Sequence, residues 1–268
     1  MATILVTGGT GDLGSKLVER FVAKGETVRV LSRRARPENA TTEWAQGDME
    51  SGEGLGEAAK GADVVVHAAT GGGTRAKADA PGTRNLLEAC KEAATPHFFY
   101  ISIVGIERIP LGYYKAKLEC ERLIEASGVP WSNQRATQFH ALIDGFLRMF
   151  SRVPLVLPIP KSFKFQPIET GEVADRMIED AAKGPVGRLP DIGGPEVLTF
   201  GEIAKTWQEA RGKKRPIVNV PLMGAVARGF KEGYNCTPEH AEGKITWREW
   251  LEGTYSQRMG SESSEADR

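Results

Sequence analysis

The stretch that most constrains the fold is "VTGGTGDLG", residues 6–14, in which Gly8, Gly11 and Gly14 are evenly spaced. It directly follows the apolar, β-branched run "TILVT" (Thr3–Thr7). It leads into "DLGSKLVERFVAKG", whose apolar residues recur with helical spacing. A strand, a glycine turn and a helix in this order predict a βαβ unit that binds a dinucleotide.

Each glycine of this turn has a separate predicted role. Gly8 allows the tight turn, Gly11 lets the backbone approach a pyrophosphate, and Gly14 lets helix and strand pack closely. The N-terminus of the following helix offers free N–H groups and the positive end of its dipole to the phosphates. The predicted phosphate contacts are Gly8, Thr10, Gly11, Asp12 and Leu13.

The end of the second predicted strand, "VLSRRARP", bears on the choice of cofactor. A site that prefers NAD has an Asp or Glu here, which accepts hydrogen bonds from the ribose hydroxyls. This chain has Ser32, Arg33 and Arg34 instead, and a hydroxyl with guanidinium groups suits a 2′-phosphate. The sequence therefore favours NADPH over NADH, with a solvated arginine loop as the alternative.

Two further stretches are predicted to line the cofactor. In "QGDM", Asp48 is positioned to accept from the adenine amine and Met49 to cover the ring. In "HAATGGG", the backbone of Ala68, Ala69 and Thr70 is expected beside the cofactor ribose. His67 lies inside the preceding apolar strand and is interpreted as a satisfied core residue.

Strands alternate with helices through the first half of the chain, which predicts parallel βαβ units and a doubly wound α/β sheet of Rossmann type. Prolines and glycines become dense after about Phe150. We therefore expect a dinucleotide-binding domain over 1–152 and a smaller C-terminal α/β substrate-binding region over 153–255. Part of that region, about 166–184, is expected to return to the main sheet. The polar stretch 256–268 is predicted to be a disordered tail.

The composition argues against several classes of binding partner. Lys plus Arg and Asp plus Glu both number 35, so nothing suggests nucleic acid or an anionic membrane. The three cysteines lie far apart without a C-x-x-C pair, which predicts reduced thiols and no metal site. No apolar run reaches membrane-spanning length, and we expect a cytoplasmic protein with a small-molecule substrate. The sequence says nothing of oligomeric state.

Tyr113 and Lys117, in "GYYKAKLEC", lie four residues apart and can share one face of a helix. The chain also contains the glycine turn and several other characteristic stretches. In chain order these others are "GDM", "DVVVHAA", "GTRNLLEAC", "YISIVG", "RATQFH" and "IGGPEVLTFGEIAKTW". Together these resemble the atypical short-chain dehydrogenases/reductases, in particular the NmrA-like NAD(P)H-binding branch. The resemblance covers roughly Thr3 to Leu251.

The resemblance implies a Rossmann domain with a small C-terminal substrate domain. Members of the branch include NADPH-dependent reductases of quinones and other small carbonyl or conjugated compounds, and also cofactor-sensing regulators. In the catalytic relatives the tyrosine gives a proton to the carbonyl oxygen. The lysine lowers the pKa of that tyrosine and bonds the nicotinamide ribose. Carried to this chain, these roles fall on Tyr113 and Lys117, and Glu121 continues the pattern one turn later.

This chain departs from the relatives at two positions. They place Ser or Thr where Ile103 stands, and Ile103 cannot donate a hydrogen bond. The neighbouring Ser102, a predicted cofactor contact, would point to the opposite face of its strand. An asparagine that some relatives carry is replaced by Asp79. The predicted substrate contacts are Val104, Gln138, Phe139 and His140, of which His140 is a possible replacement acid.

Three functions remain open from the sequence. The first is an NADPH-dependent reductase of a quinone, enone or carbonyl compound. The second is a non-catalytic NADP(H) sensor, which the isoleucine at position 103 supports. The third is an isomerase with tightly held cofactor, similar to the sugar-nucleotide epimerases. The arginines after the second strand weaken this third reading, because such enzymes usually hold NAD.

Overall fold

The computed structural model describes residues 1–38, 40–71 and 77–266, with side chains described up to Ser256. The described chain divides into two compact units. The first unit comprises Met1–Ala136 and Thr170–Pro190, and the second comprises Thr137–Glu169 and Asp191–Arg268. None of the helices in the described ranges is both long and apolar enough to cross a bilayer.

The first unit is built on a sheet that has seven strands among the described residues. They are β1 (Thr3–Thr7), β2 (Thr27–Ser32), β3 (Glu43–Gln46), β4 (Val64–His67), β5 (His97–Ile103), β6 (Trp131–Ala136) and β9 (Gly187–Arg188). Their order is β3-β2-β1-β4-β5-β6-β9, and every pairing is parallel. The predicted doubly wound sheet is confirmed. Its order reverses between β1 and β4, and ligands of such sheets bind outside the carboxyl ends of the strands at that point.

The helices of the first unit follow from the apolar patterns of the sequence. They are α1 (Asp12–Ala23), α2 (Leu55–Ala59), α3 (Asp79–Glu92), α4 (Gly112–Ala126) and α6 (Thr170–Ala181). In α1 the buried side chains Leu13, Leu17 and Phe21 repeat at four-residue intervals and form one face. Strand β4 is almost wholly buried, as expected for a parallel strand covered on both faces.

The second unit contains α5 (His140–Phe150), α7 (Phe200–Ala210), α8 (Ala225–Glu232) and α9 (Trp247–Ala266). Two small sheets accompany them: β8 (Lys164–Phe165) pairs antiparallel with β10 (Leu198–Thr199), and β7 (Leu157–Ile159) pairs parallel with β11 (Ile217–Asn219). The core of this unit is rich in large aromatic side chains, namely Phe163, Phe165, Phe200, Trp207, Trp247 and Tyr255. A capping box between Thr199 and Glu202 begins α7.

The limits of the two units differ from those expected from sequence. The chain leaves the first unit after Ala136, not at 152, because α5 begins four residues after β6 ends. Proline density, on which the sequence-based limit rests, rises only from Pro154. The returning part is Thr170–Pro190, where the sequence suggests about 166–184. Helix α9 extends to Ala266, into the stretch predicted as a disordered tail.

Candidate functional site

The glycine turn after β1 has the geometry that its sequence demands. Gly8 has a φ of +69°, in the left-handed region, and a Cβ there would lie 2.7 Å from the backbone nitrogen of Ala69. The Gly11 N–H donates to the Gly8 carbonyl at 2.8 Å. A Cβ on Gly14 would lie 2.0 Å from the Gly8 carbonyl oxygen, so Gly14 brings helix α1 against the turn itself.

The start of α1 has the properties of an anion site. Its N-cap is Gly11, in extended conformation and without a side-chain hydrogen bond to the first turn. The Asp12 carboxylate is engaged elsewhere, because Oδ2 accepts from Thr170 at 2.6 Å and Oδ1 lies 4.0 Å from Lys16. The first-turn N–H groups of α1 are therefore left without a side-chain cap, which fits a phosphate.

A buried hydrogen-bond chain fixes the end of β4 beside this turn. His67 bonds Thr7 Oγ1 through Nδ1 at 2.7 Å and Thr83 Oγ1 through Nε2 at 3.1 Å. Thr7 Oγ1 also accepts from the Ala69 N–H at 3.2 Å. Burial, assisted by the charge of Lys117, lowers the pKa of His67 to about 3. His67 is therefore neutral and structural, as predicted, and it holds the Ala68–Thr70 backbone in place.

The end of β2 presents the predicted basic groups. Ser32 Oγ accepts from the Arg34 N–H at 3.1 Å, and the Trp44 indole donates to the Arg34 carbonyl at 2.8 Å. The side chains of Arg33 and Arg34 are exposed. No carboxylate occurs in the sequence from Leu31 to Arg36. This strand end therefore lacks the acidic group that an NAD-preferring site uses.

Asp48 and Met49, the two residues predicted around the adenine, both make contacts within the protein. Asp48 Oδ1 accepts from the Glu50 N–H at 2.8 Å, which closes a local turn. Met49 is half-buried and packs against the helix α3 near Gly82. Contacts of Asp48 and Met49 with an adenine ring stay predictions.

Tyr113 and Lys117 both lie on α4, and their polar groups bond different partners. The Tyr113 hydroxyl is 3.2 Å from Thr70 Oγ1. The Lys117 ammonium, in a side chain only 3% exposed, donates to the Ile101 carbonyl at 3.2 Å and lies 4.7 Å above the Tyr100 ring. Burial lowers the pKa of Lys117.

The expected lowering of the Tyr113 pKa by Lys117 is not found. Burial raises the pKa of Tyr113, and the negative charge of Asp79 raises it further, while the hydrogen bond with Thr70 opposes both. Lys117 is not among the groups that shift the pKa of Tyr113. Tyr113 is therefore a protonated phenol at neutral pH.

The hydroxyl beside Tyr113 comes from the loop after β4 and not from β5. Thr70 donates to Asp79 Oδ2 at 2.8 Å, and the Gly71 N–H donates to Asp79 Oδ1 at 2.6 Å. The sequence predicts Thr70 only as a backbone contact and Asp79 only as a replacement for an asparagine, so it does not predict this link. A threonine after β4 with an aspartate at the start of α3 was the only sequence signal.

Ser102 is buried beside an ionic cluster, and its contact with cofactor stays a prediction. Burial alone would raise the pKa of Glu121, but Arg135 holds it below its ordinary value through two hydrogen bonds of 2.8 and 2.6 Å, with help from Ser102. Arg135 also donates to both oxygens of Glu107. Glu121 thus ties α4 to β6 and carries no exposed charge.

Most of the predicted substrate contacts are buried. Val104 is in the core of the first unit. In the second unit, buried Gln138 donates to the Asn235 carbonyl at 3.0 Å, and Phe139 is half-buried.

His140 has no exposed surface. Its ring lies 5.7 and 5.5 Å from the rings of Trp247 and Trp250, and Nδ1 is 3.8 Å from the Glu169 carboxylate. The suggestion that His140 acts as the acid on substrate is therefore not supported.

Comparison with known proteins agrees with this geometry. A sequence profile described as NAD(P)H-binding matches residues 8–140. The chain is 31% identical over 265 residues to the photosystem II assembly factor Ycf39 of Synechocystis sp., covering 90% of this chain and 79% of that protein. It is 26% identical over 257 residues to pinoresinol reductase 1 of Arabidopsis thaliana, covering 84% and 79% of the two chains.

The structural comparison gives the same fold. The NADPH-dependent quinone oxidoreductase of Escherichia coli, solved with NADPH, superposes with a TM-score of 0.76 at 18% identity, covering 94% of this chain and 99% of that one. The matched profile runs from Gly8, directly after β1, to His140 at the start of α5, and it includes the glycine turn, Tyr113 and Lys117. The chain therefore belongs to the NAD(P)H-binding oxidoreductases of the short-chain dehydrogenase/reductase superfamily, in their atypical, NmrA-like branch.

Proposed function

We propose that this protein is an NADPH-dependent reductase of a small electrophilic acceptor, such as a quinone, an enone or a carbonyl compound. One observation carries the proposal: the segment Ala69–Thr70 contacts the glycine turn at Gly8 and bonds the Tyr113 hydroxyl one residue later. The glycine turn, which is suited to bind phosphate, and the Tyr113 phenol, which can donate a proton, therefore both contact the segment Ala69–Thr70. That is the arrangement a reductase needs between its cofactor and its acid.

The proposed cofactor is NADPH. The first turn of α1 and the backbone at Gly8 and Gly11 would hold its pyrophosphate. Ser32, Arg33 and Arg34 would receive its 2′-phosphate, because they supply a hydroxyl and two exposed cations where an NAD site has a carboxylate. When bound, the nicotinamide supplies the hydride.

Tyr113 is the proposed proton donor and Lys117 the proposed ribose contact. Because the pKa of Tyr113 is raised, the phenol keeps its proton at neutral pH until an acceptor oxygen takes it. Lys117 is fixed by the Ile101 carbonyl, so its stem and ammonium have one defined position along α4. Acceptors that are already electron-poor suit this site, since Ile103 adds no second hydrogen bond to the carbonyl.

A non-catalytic NADP(H)-binding regulator is the second candidate. The isoleucine at position 103 supports it, and so does the similarity to a protein described as an assembly factor. Such a regulator would use the same cofactor site and leave Tyr113 as part of its lining.

The test is NADPH consumption against a panel of quinones, enones and aldehydes, with NADH as the cofactor control. We expect turnover with NADPH on at least one class, and a loss of about 100-fold or more in kcat for Tyr113→Phe. Tyr114→Phe, one residue along the same helix, is the matched control and should keep its activity. Tight NADPH binding without turnover on the whole panel would contradict the reductase and favour the regulator.

A further inference from the structure

Three groups from three different elements meet at the Tyr113 hydroxyl. Thr70 follows β4, Asp79 begins α3, and Tyr113 lies in the first turn of α4. The Tyr113 hydroxyl is 3.2 Å from Thr70 Oγ1, and Thr70 Oγ1 is 2.8 Å from Asp79 Oδ2. The Gly71 N–H donates to the other carboxylate oxygen at 2.6 Å. The carboxylate is thus held at both oxygens and sets the position of the threonine.

The direction of these hydrogen bonds follows from their donors. A carboxylate only accepts, so the single hydroxyl hydrogen of Thr70 goes to Asp79. Thr70 Oγ1 is then an acceptor for the Tyr113 hydroxyl. The phenolic hydrogen therefore has one defined direction, and the lone pairs of the phenol oxygen are turned away from Thr70.

We propose that Thr70 and Asp79 are positioning residues for Tyr113, which fix the direction of its hydroxyl group. They take the place of the β5 hydroxyl that Ile103 cannot supply. This rests on the proposed function, in which Tyr113 is the proton donor. The proposal also gives Asp79 a role that an asparagine could not fill, since an asparagine at that position would place no negative charge near the Tyr113 phenol.

Electrostatics agrees with the geometry. Besides Asp79, the titratable groups that interact with Tyr113 are Cys120 on α4 and Tyr100 on β5. Burial raises the pKa of Tyr113 most, Asp79 adds to that rise, and the hydrogen bond with Thr70 lowers it. The threonine and the aspartate therefore shift the pKa of Tyr113 in opposite directions.

The test is an alkaline titration of the phenolate by ultraviolet absorbance, with the Tyr113→Phe spectrum subtracted so that the difference reports Tyr113 alone. Circular dichroism at each pH restricts the data to folded protein. Asp79→Asn should lower the midpoint, by on the order of one pH unit, because a like charge is removed. Thr70→Val should raise the midpoint, because the phenolate loses the hydroxyl that can turn from Asp79 to donate to it, and Thr70→Ser should restore the wild-type value.

Asp63→Asn is the matched control, because Asp63 also accepts a backbone N–H, from Thr3 at 2.8 Å, but at the amino end of β1. It should leave the midpoint unchanged. Midpoints that do not move, or that move in the same direction in Asp79→Asn and Thr70→Val, would overturn the inference. The titration needs no turnover. An inactive protein with midpoints displaced as expected would overturn the proposed function alone, and an active one with unmoved midpoints would overturn this inference alone.

Discussion

Different kinds of interaction stabilise the interior of each of the two units. In the first unit, the geometry of the strand ends is set by nearby groups: a left-handed glycine, a helix that starts four residues later, and a buried Thr7–His67–Thr83 hydrogen-bond chain. In the second, the core is a cluster of aromatic side chains joined to buried polar groups across long stretches of sequence. Asp144, for example, accepts from Trp207 at 2.7 Å and from Tyr255 at 2.5 Å.

This difference explains why the sequence of the first unit is informative about ligand binding and that of the second unit is not. Glycines in the first unit are dictated by backbone geometry, so their spacing carries information about a ligand. The aromatic residues of the second unit are dictated by volume and by partners far along the chain, so their spacing carries little. We therefore expect changes in the first unit to alter cofactor binding, and changes in the core of the second unit to alter stability.

The largest expected effect is that of Gly14→Ala. The new Cβ would lie 2.0 Å from the Gly8 carbonyl oxygen, which is backbone and cannot move aside. We expect a loss of more than about 4 kcal/mol in the free energy of unfolding, together with loss of NADPH binding. Chemical denaturation and a cofactor titration measure both.

Gly56→Ala is the matched control for this change. Gly56 lies in α2 of the same unit and a Cβ there would meet nothing within 4 Å. Because alanine is the better helix former, the variant should be up to about 1 kcal/mol more stable. A Gly14→Ala protein as stable as wild type would refute the geometry described for the turn.

Next in size is Trp247→Ala in the second unit. Trp247 is 1% exposed, stacks on Trp250, and donates from its indole to the Ile203 carbonyl at 3.0 Å. Removal of a buried tryptophan should cost about 3–5 kcal/mol of stability. The NADPH affinity of the folded variant should stay near that of wild type.

The exposed Met223, 94% exposed, offers a control in the same unit, because Met223→Ala should change stability by less than about 0.5 kcal/mol. If Trp247→Ala weakened NADPH binding in folded protein as strongly as it weakened the fold, the contrast between the two units would fail.

A smaller effect concerns acid stability in the first unit. His67 has its pKa lowered from 6.5 to about 3, so unfolded chains bind a proton there that folded chains do not. Stability should therefore be full above pH 6.5 and fall as the pH drops toward 3, by about 1.4 kcal/mol per pH unit for this one group. His97, whose burial lowers its pKa to about 4, acts in the same window.

His67→Gln isolates the contribution of His67, because glutamine does not titrate. Urea unfolding at several pH values between 3 and 7 should give a shallower dependence for the variant than for wild type. Equal slopes would show that His67 does not titrate as its burial demands.

The sequence allowed much of the first unit to be predicted, because each strand, helix and glycine there obeys a local rule. It predicted the parallel sheet, the turn at Gly8 and the structural role of His67. It missed the Thr70–Asp79 link, since the two residues meet only after β4 and α3 are folded. It also suggested substrate contact for His140, because a histidine after a strand end looks accessible until Trp247 and Trp250, more than a hundred residues later, pack beside it.

The most direct test of the central claim, an NADPH site at the strand ends of the first unit, is a calorimetric titration with NADPH and with NADH. Wild type should bind NADPH more tightly. The double variant Arg33→Ala/Arg34→Ala should lose about tenfold in NADPH affinity, about 1.4 kcal/mol, with NADH affinity unchanged. Arg122→Ala, an exposed arginine on α4, should match wild type. Tighter binding of NADH by wild type, or equal loss of both cofactors in the double variant, would contradict the claim.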